Sequence, residues 1–194
     1  MKTLCMDTSH RYLVLVLMED NEVKASYNAY AWKKQSEMVF VKLIDLMNEV
    51  SWDVDEIDEV VISVGPGSYT GIRIAMSIAK VFTSMKKKTL YTISTLQLYA
   101  GIEDCSIILD ARSNRVYYGK YKDGIKLEES IKTLDEIKEL NEVIIGDLFL
   151  LDKKDSIPDF VKNFKELRPF YNKVENIHSL VPTYLKEESA YLVK

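Results

Sequence analysis

The order of strands and turns in the first part of the chain is repeated about a hundred residues later, and aspartates mark the register of the repeat. Asp7 closes a predicted first strand, Thr3–Asp7, and Asp20 tips a hairpin 13 residues further on; Asp110 and Asp123 stand in the same relation, also 13 residues apart. In the first half, strands are predicted over Tyr12–Met18 and Val23–Tyr30, a helix over Gln35–Val50, a strand over Val60–Val64, a helix over Ile72–Met85 and a strand over Leu90–Ile93. After a short helix at Ser94–Ala100 the order begins again. Strands are expected over Ser106–Asp110, Val116–Tyr121 and Ile125–Ser130, a helix over Leu134–Leu140 and a strand over Glu142–Ile145. Asp123-Gly124 is a tight-hairpin signal. Two strand-strand-strand-helix-strand units predict a duplicated, two-lobed α/β protein. The N-terminal lobe is expected over 1–93 and a shortened C-terminal lobe over 94–194. Beyond Gly146 the pattern weakens to a loop at Asp152–Pro158, a helix at Phe160–Leu167 and a docked terminal segment at Pro182–Leu185.

Charge and cysteine content narrow the function classes. The 26 basic and 30 acidic residues give a net charge of −4, and the only basic run is Lys86-Lys87-Lys88, which reads as a solvated turn. A chain that held nucleic acid unaided would carry a basic excess on one face. Two cysteines, Cys5 and Cys105, are too few for a disulfide framework. The longest apolar run, Leu13–Met18, is far short of a membrane span. With a charge at Lys2 and no long apolar stretch after it, the N-terminus does not read as a signal peptide. A cytoplasmic setting with no membrane contact is expected.

Tandem halves of this order resemble the actin, sugar-kinase and Hsp70-like (ASKHA) ATPase fold. In a nucleotide-binding member, the first hairpin of each lobe wraps phosphate with backbone amides while strand-end aspartates hold the Mg²⁺ shell. Asp7 and Asp110 occupy those places, but the turns Asp7-Thr8-Ser9-His10-Arg11 and Asp110-Ala111-Arg112-Ser113-Asn114 contain no glycine. The plainer reading is that both aspartates cap tight turns. The sharpest local motif is Gly65-Pro66-Gly67-Ser68-Tyr69-Thr70-Gly71-Ile72-Arg73, between a buried strand and a helix. It reads either as an anion cradle at a helix N-terminus or as a sharp turn whose helix is capped by Ser68 or Thr70. No Gly-Lys-Ser/Thr closes it, so it is not a P-loop. His10 and His178 belong to no metal-ligand pair, and no nucleophile stands beside a base, so no catalytic, metal or cofactor residue is assigned.

Two helices carry more apolar surface than one sheet can cover. At 100° per residue, Ile72, Ile74, Ala75, Met76, Ile78, Ala79, Val81, Phe82 and Met85 span roughly 220°, where a helix on a sheet needs little more than ~100°. The helix at Gln35–Val50 has a similarly broad face in Val39, Phe40, Leu43, Ile44, Leu46, Met47 and Val50. Either a second body covers this surplus or each helix is sandwiched inside its own domain.

The glycine-rich motif on strand Val60–Val64 resembles the signature of the TsaB (YeaZ) family, bacterial subunits of the tRNA threonylcarbamoyladenosine-synthesising complex. Met6-Asp7-Thr8-Ser9, Leu109-Asp110-Ala111-Arg112 with Val116-Tyr117, and Pro182-Thr183-Tyr184-Leu185-Lys186 add to the resemblance. Tyr69 stands where the family usually has Phe, Ala75 where it has Gly, and Gln35-Ser36-Glu37 where His-Ser-Glu is common. The resemblance implies a non-catalytic subunit that activates TsaD, a larger paralogue that transfers the threonylcarbamoyl group to the adenosine next to the anticodon. It implies pairing through the first-lobe helices as a four-helix bundle, a TsaE ATPase near the junction, and tRNA met only through the complex. No cofactor is expected on the lone chain, and the junction is the candidate place for ATP or ADP. The expected partner contacts are Met38, Val41, Lys42, Asp45, Ser68, Tyr69, Arg73, Met76, Ser77 and Lys80, and weak homodimerisation through the same helices is expected. An independent small ATPase, kinase or peptidase of the same fold is the competing expectation.

Overall fold

A computed structural model describes residues 1–185 of the 194. Two sheets carry the duplication. In the first, β1 (Lys2–Asp7), β2 (Tyr12–Glu19) and β3 (Glu22–Tyr30) form an antiparallel meander, and β4 (Glu59–Ser63) and β5 (Thr89–Ile93) extend it in parallel beyond β1. In the second, β6 (Cys105–Asp110), β7 (Arg115–Lys122) and β8 (Ile125–Thr133) repeat the meander, and β9 (Ile144–Gly146) lies parallel to β6 as β4 does to β1.

The likeness of the halves reaches individual residues. Asp20 and Asn21 at one hairpin tip, and Asp123 and Gly124 at the other, all have positive φ, the geometry of a two-residue turn whose twist matches the strands. The register slips between Leu17 and Met18 in one meander and between Lys120 and Tyr121 in the other, three residues before each tip aspartate.

Strand alternation sorts side chains into separate cores. Along β1 and β2, Leu4, Met6, Leu13, Leu15 and Leu17 face α1 (Gln35–Glu49) and α2 (Tyr69–Lys86), whereas Cys5, Val14, Val16 and Met18 face the second sheet. Burial on both faces explains the unbroken apolar run Leu13–Met18. Between the sheets lie α3 (Thr95–Ala100) and α5 (Phe160–Glu166), which bring Leu96, Leu98, Phe160 and Phe164 into the shared core. The outer face of the second sheet is covered by α4 (Leu134–Lys138), through Ile137 on Ile108, Val116 and Tyr118.

After α5 the chain leaves the second lobe. Strand β10 (Asn172–Lys173) pairs antiparallel with β5 at the edge of the first sheet, and Val174, Ile177 and Leu180 pack onto the first core. The expected division at 93/94 falls at the end of β5, and the returning segment packs on the first sheet. Helix α2 begins one turn earlier than Ile72, because the Ser68 hydroxyl accepts from the Gly71 N–H and caps it there. Strand β9 starts at Ile144 rather than Glu142, whose carboxylate instead gathers Ser106, Tyr118 and Lys120. Among the described residues, no helix is long and apolar enough to cross a membrane.

Candidate functional site

Helices α1 and α2 lie side by side over β1, β2 and β4 and leave an apolar groove of about 790 Å³ between them. Each helix has two apolar sides. One reaches the sheet: Val39 and Leu46 on α1, and Ile72, Ala75, Met76 and Ala79 on α2, are all buried. The other opens outward. Phe40 (56% exposed) and Ile44 (58%) on α1 face Val81 (59%) and Met85 (74%) on α2, with Leu43 and Ile78 half-buried between them. Leaving such side chains half in water forgoes about 1 kcal/mol apiece against burial. Contiguous exposed apolar surface of this kind makes the groove a candidate interaction site.

The expected contact residues fall elsewhere, with one exception. Ser77 borders the groove. Met38, Val41, Lys42 and Asp45 lie around the other side of α1, where Lys42 pairs with Asp45 at 2.9 Å and sits 5.5 Å over the Tyr27 ring of β3. Met76 is 5% exposed in the first core, so its expected place on a docking face is corrected: its helical position, shared with Ile72 and Ala79, points at the sheet. Ser68 is the helix cap. Tyr69, Arg73 and Lys80 are held by the returning C-terminal segment. Tyr184 stacks on Tyr69 at 5.6 Å, Arg73 lies 4.1 Å over the Tyr69 ring and donates through Nε to the Tyr184 hydroxyl, and Lys80 donates to the His178 carbonyl. The residues that do line the groove were legible only as the breadth of the apolar arc, whose outward edge they form.

The glycine-rich motif is filled by the chain itself. A Cβ on Gly67 would stand 2.2 Å from the Ser9 carbonyl oxygen, and one on Gly71 would stand 2.2 Å from that of Thr8. The glycines let the β1–β2 turn settle onto the start of α2, with Ser68 N–H donating to Ser9 O at 2.7 Å and Thr8 Oγ1 donating to Gly71 O at 2.6 Å. The sharp-turn reading accounts for the motif. Both strand-end aspartates cap turns: Asp7 Oδ1 accepts from Ser9 N and from the hydroxyls of Ser9 and Ser63, and Asp110 Oδ1 accepts from Arg112 N.

A second hollow of about 520 Å³, bordered by His10, Arg11, Tyr69, Asp110, Arg112 and Phe149, lies between the hairpins of the two lobes. At its edge His10 Nε2 stands 2.9 Å from Asp147 Oδ2, a pairing across 137 residues that no local spacing announces. Burial pushes the Asp147 carboxyl up, but the hydrogen bond and charge of His10, the Asp110 amide and Arg11 outweigh it and hold the group below the usual aspartate value. Neither cysteine is an activated nucleophile. Burial drives the Cys5 thiol far above its ordinary range and pushes Cys105 up to about 11. Among the described residues, no group of three His, Cys, Asp or Glu side chains is placed to hold a metal ion.

The family model described as TsaD, tRNA N6-adenosine threonylcarbamoyltransferase, matches residues 30–145. The chain is 30% identical over 165 residues to the tRNA threonylcarbamoyladenosine biosynthesis protein TsaB of Bacillus subtilis, across 80% of this chain and 68% of that one. It is 28% identical over 139 residues to the TsaB of Buchnera aphidicola subsp. Acyrthosiphon pisum, across 66% of this chain and 63% of that one. These alignments thus span about two thirds of the relatives' own lengths. The fold matches a Pseudomonas aeruginosa protein, described as uncharacterized with similarity to peptidase YEAZ, with a TM-score of 0.76 at 17% identity over 95% of this chain and 99% of that one.

Proposed function

The chain belongs to the TsaB (YeaZ) family of tRNA threonylcarbamoyladenosine biosynthesis proteins, and from that membership we propose that it is a non-catalytic subunit that activates a TsaD-like catalytic paralogue by docking through α1 and α2. The observation that carries this reading is the open apolar groove, with Phe40, Ile44, Val81 and Met85 all more than half exposed on two helices that already cover their own sheet. A partner presenting two apolar helices would complete a four-helix packing there, each of these side chains gaining on the order of 1 kcal/mol. In this reading a TsaE-like ATPase joins near the junction, ATP or ADP belongs at that junction, and tRNA meets the chain only within the complex. The filled glycine-rich turn and the cysteines held as neutral thiols support the assignment of the chemistry to the partner.

The test is co-purification of the tagged chain with the TsaD-like paralogue from its native cells, read together with the threonylcarbamoyladenosine content of tRNA. Ile44→Glu and Val81→Glu place a charge in the groove without touching the core. Both are expected to lose the paralogue and the modified nucleoside while remaining folded. Retention of the paralogue by both variants would overturn the groove as the docking face. Calorimetry of the lone chain with Mg-ATP addresses the competing ATPase or kinase reading separately, since micromolar binding would restore it.

A further inference from the structure

Two hydrogen-bond donors and a guanidinium converge on one carboxylate oxygen. Asp147 Oδ2 stands 2.9 Å from His10 Nε2, accepts the Asp110 backbone N–H at 2.7 Å, and lies 3.6 Å from the Arg11 guanidinium. A carboxylate at 2.9 Å requires the proton on Nε2, so the imidazole is the donor. His10 and Arg11 belong to the β1–β2 turn of the first lobe, Asp110 ends β6 of the second, and Asp147 follows β9. The oxygen is sealed: Asp147 is 4% exposed and His10 is 5% exposed, with the Tyr99 ring set edgewise to the imidazole. Arg11 is itself fixed, 4.4 Å over the Phe149 ring and 3.5 Å from Asp155. A ring N–H, a backbone N–H and a guanidinium around one buried oxygen are the elements of an oxyanion site. Here the anion is covalently part of the chain.

We propose that Asp147 is an internal anion, its carboxylate filling an oxyanion site that His10, Arg11 and the Asp110 amide build from both lobes, so that the lips of the interlobe hollow are tied together and small external carboxylates are kept out. The site's ligand class is a small oxyanion, and removing the resident one uncovers it. An ordinary ion pair lacks this property, because its partners would rotate to water once the carboxylate was gone. These donors are held by a backbone position, by ring packing and by a stacked guanidinium.

The experiment is thermal melting of the full chain and of Asp147→Ala in sodium formate, against sodium chloride at equal ionic strength. Formate has the size of the deleted carboxylate. Asp147→Ala is expected to melt lower than the parent, and formate is expected to raise it saturably by about 3–5 °C while leaving the parent unchanged. A folded Asp147→Ala that formate lifts no more than chloride does would overturn the proposal. If Asp147→Ala does not fold, Asp147→Leu keeps the volume and removes every acceptor oxygen. The Asp110 amide proton should then exchange at least about tenfold faster than in the parent, and an unchanged rate would equally overturn it.

Discussion

Met76 and Val81 sit five residues apart on α2 and face different surroundings, one against the sheet at 5% exposure and the other in the open groove at 59%. Met76→Ala should cost about 2–5 kcal/mol in chemical denaturation, the range for emptying a packed core position. Val81→Glu should stay within about 0.5 kcal/mol of the parent, since the site is already wet. Equal losses at both positions would mean that the groove is part of the folding core. The Asp147 carboxyl makes a prediction of a different kind. Its pKa in the fold lies below the ordinary value of 3.8, so the stability it contributes is complete above that value and is lost only as pH falls through the lower, folded one. The gap in melting temperature between the parent and Asp147→Asn should therefore persist from pH 6 to pH 5 and close in more acid solution. A gap that closes above pH 5 would show that Asp147 is not held as a low-pKa carboxylate.

At the level of elements, local chemistry was readable wherever it was self-contained. The run Leu13–Met18 marked β2 because both its faces are buried, and the two tip aspartates marked the hairpins because each takes up a left-handed backbone conformation. A cap at Ser68 or Thr70 was readable from the turn before the apolar stripe of α2; the structure gives it to Ser68, whose replacement by Ala should cost about 1 kcal/mol. That is a fall of about 2–4 °C in melting temperature for a chain of this size; no fall would mean that the Gly71 N–H finds another acceptor. What stayed hidden depends on distant partners. Strand β10 is two residues long, Asn172 and Lys173, and its only signature is its pairing with Thr92 and Tyr91. The His10–Asp147 contact spans 137 residues. The breadth of apolar surface on α1 and α2 was plain in the sequence, but which edge faced outward was not. A helical arc does not show where the sheet lies, so Met38 and Met76 were expected at a docking face, whereas the open groove is lined by Phe40, Ile44, Val81 and Met85.

For the whole molecule, the groove sets up a competition. A free chain keeps Phe40, Ile44, Val81 and Met85 in water, and a second copy is the nearest surface with matching apolar helices. An interface built from one face on each copy closes as a two-fold dimer and goes no further. It uses the side chains that the TsaD-like partner is proposed to cover, so self-association and heterodimer formation exclude one another. The homodimer is expected to be weak. Sedimentation of the lone chain should show a monomer–dimer equilibrium with a midpoint on the order of tens of micromolar. Val81→Glu should sediment as a monomer throughout, and added partner should convert the dimer of the parent to the heterodimer without a ternary species. A parent chain that remains monomeric at every concentration would show that the groove discriminates against its own copy. A dimer that survives Val81→Glu would place the self-contact on another face, and the two associations would then be free to occur together.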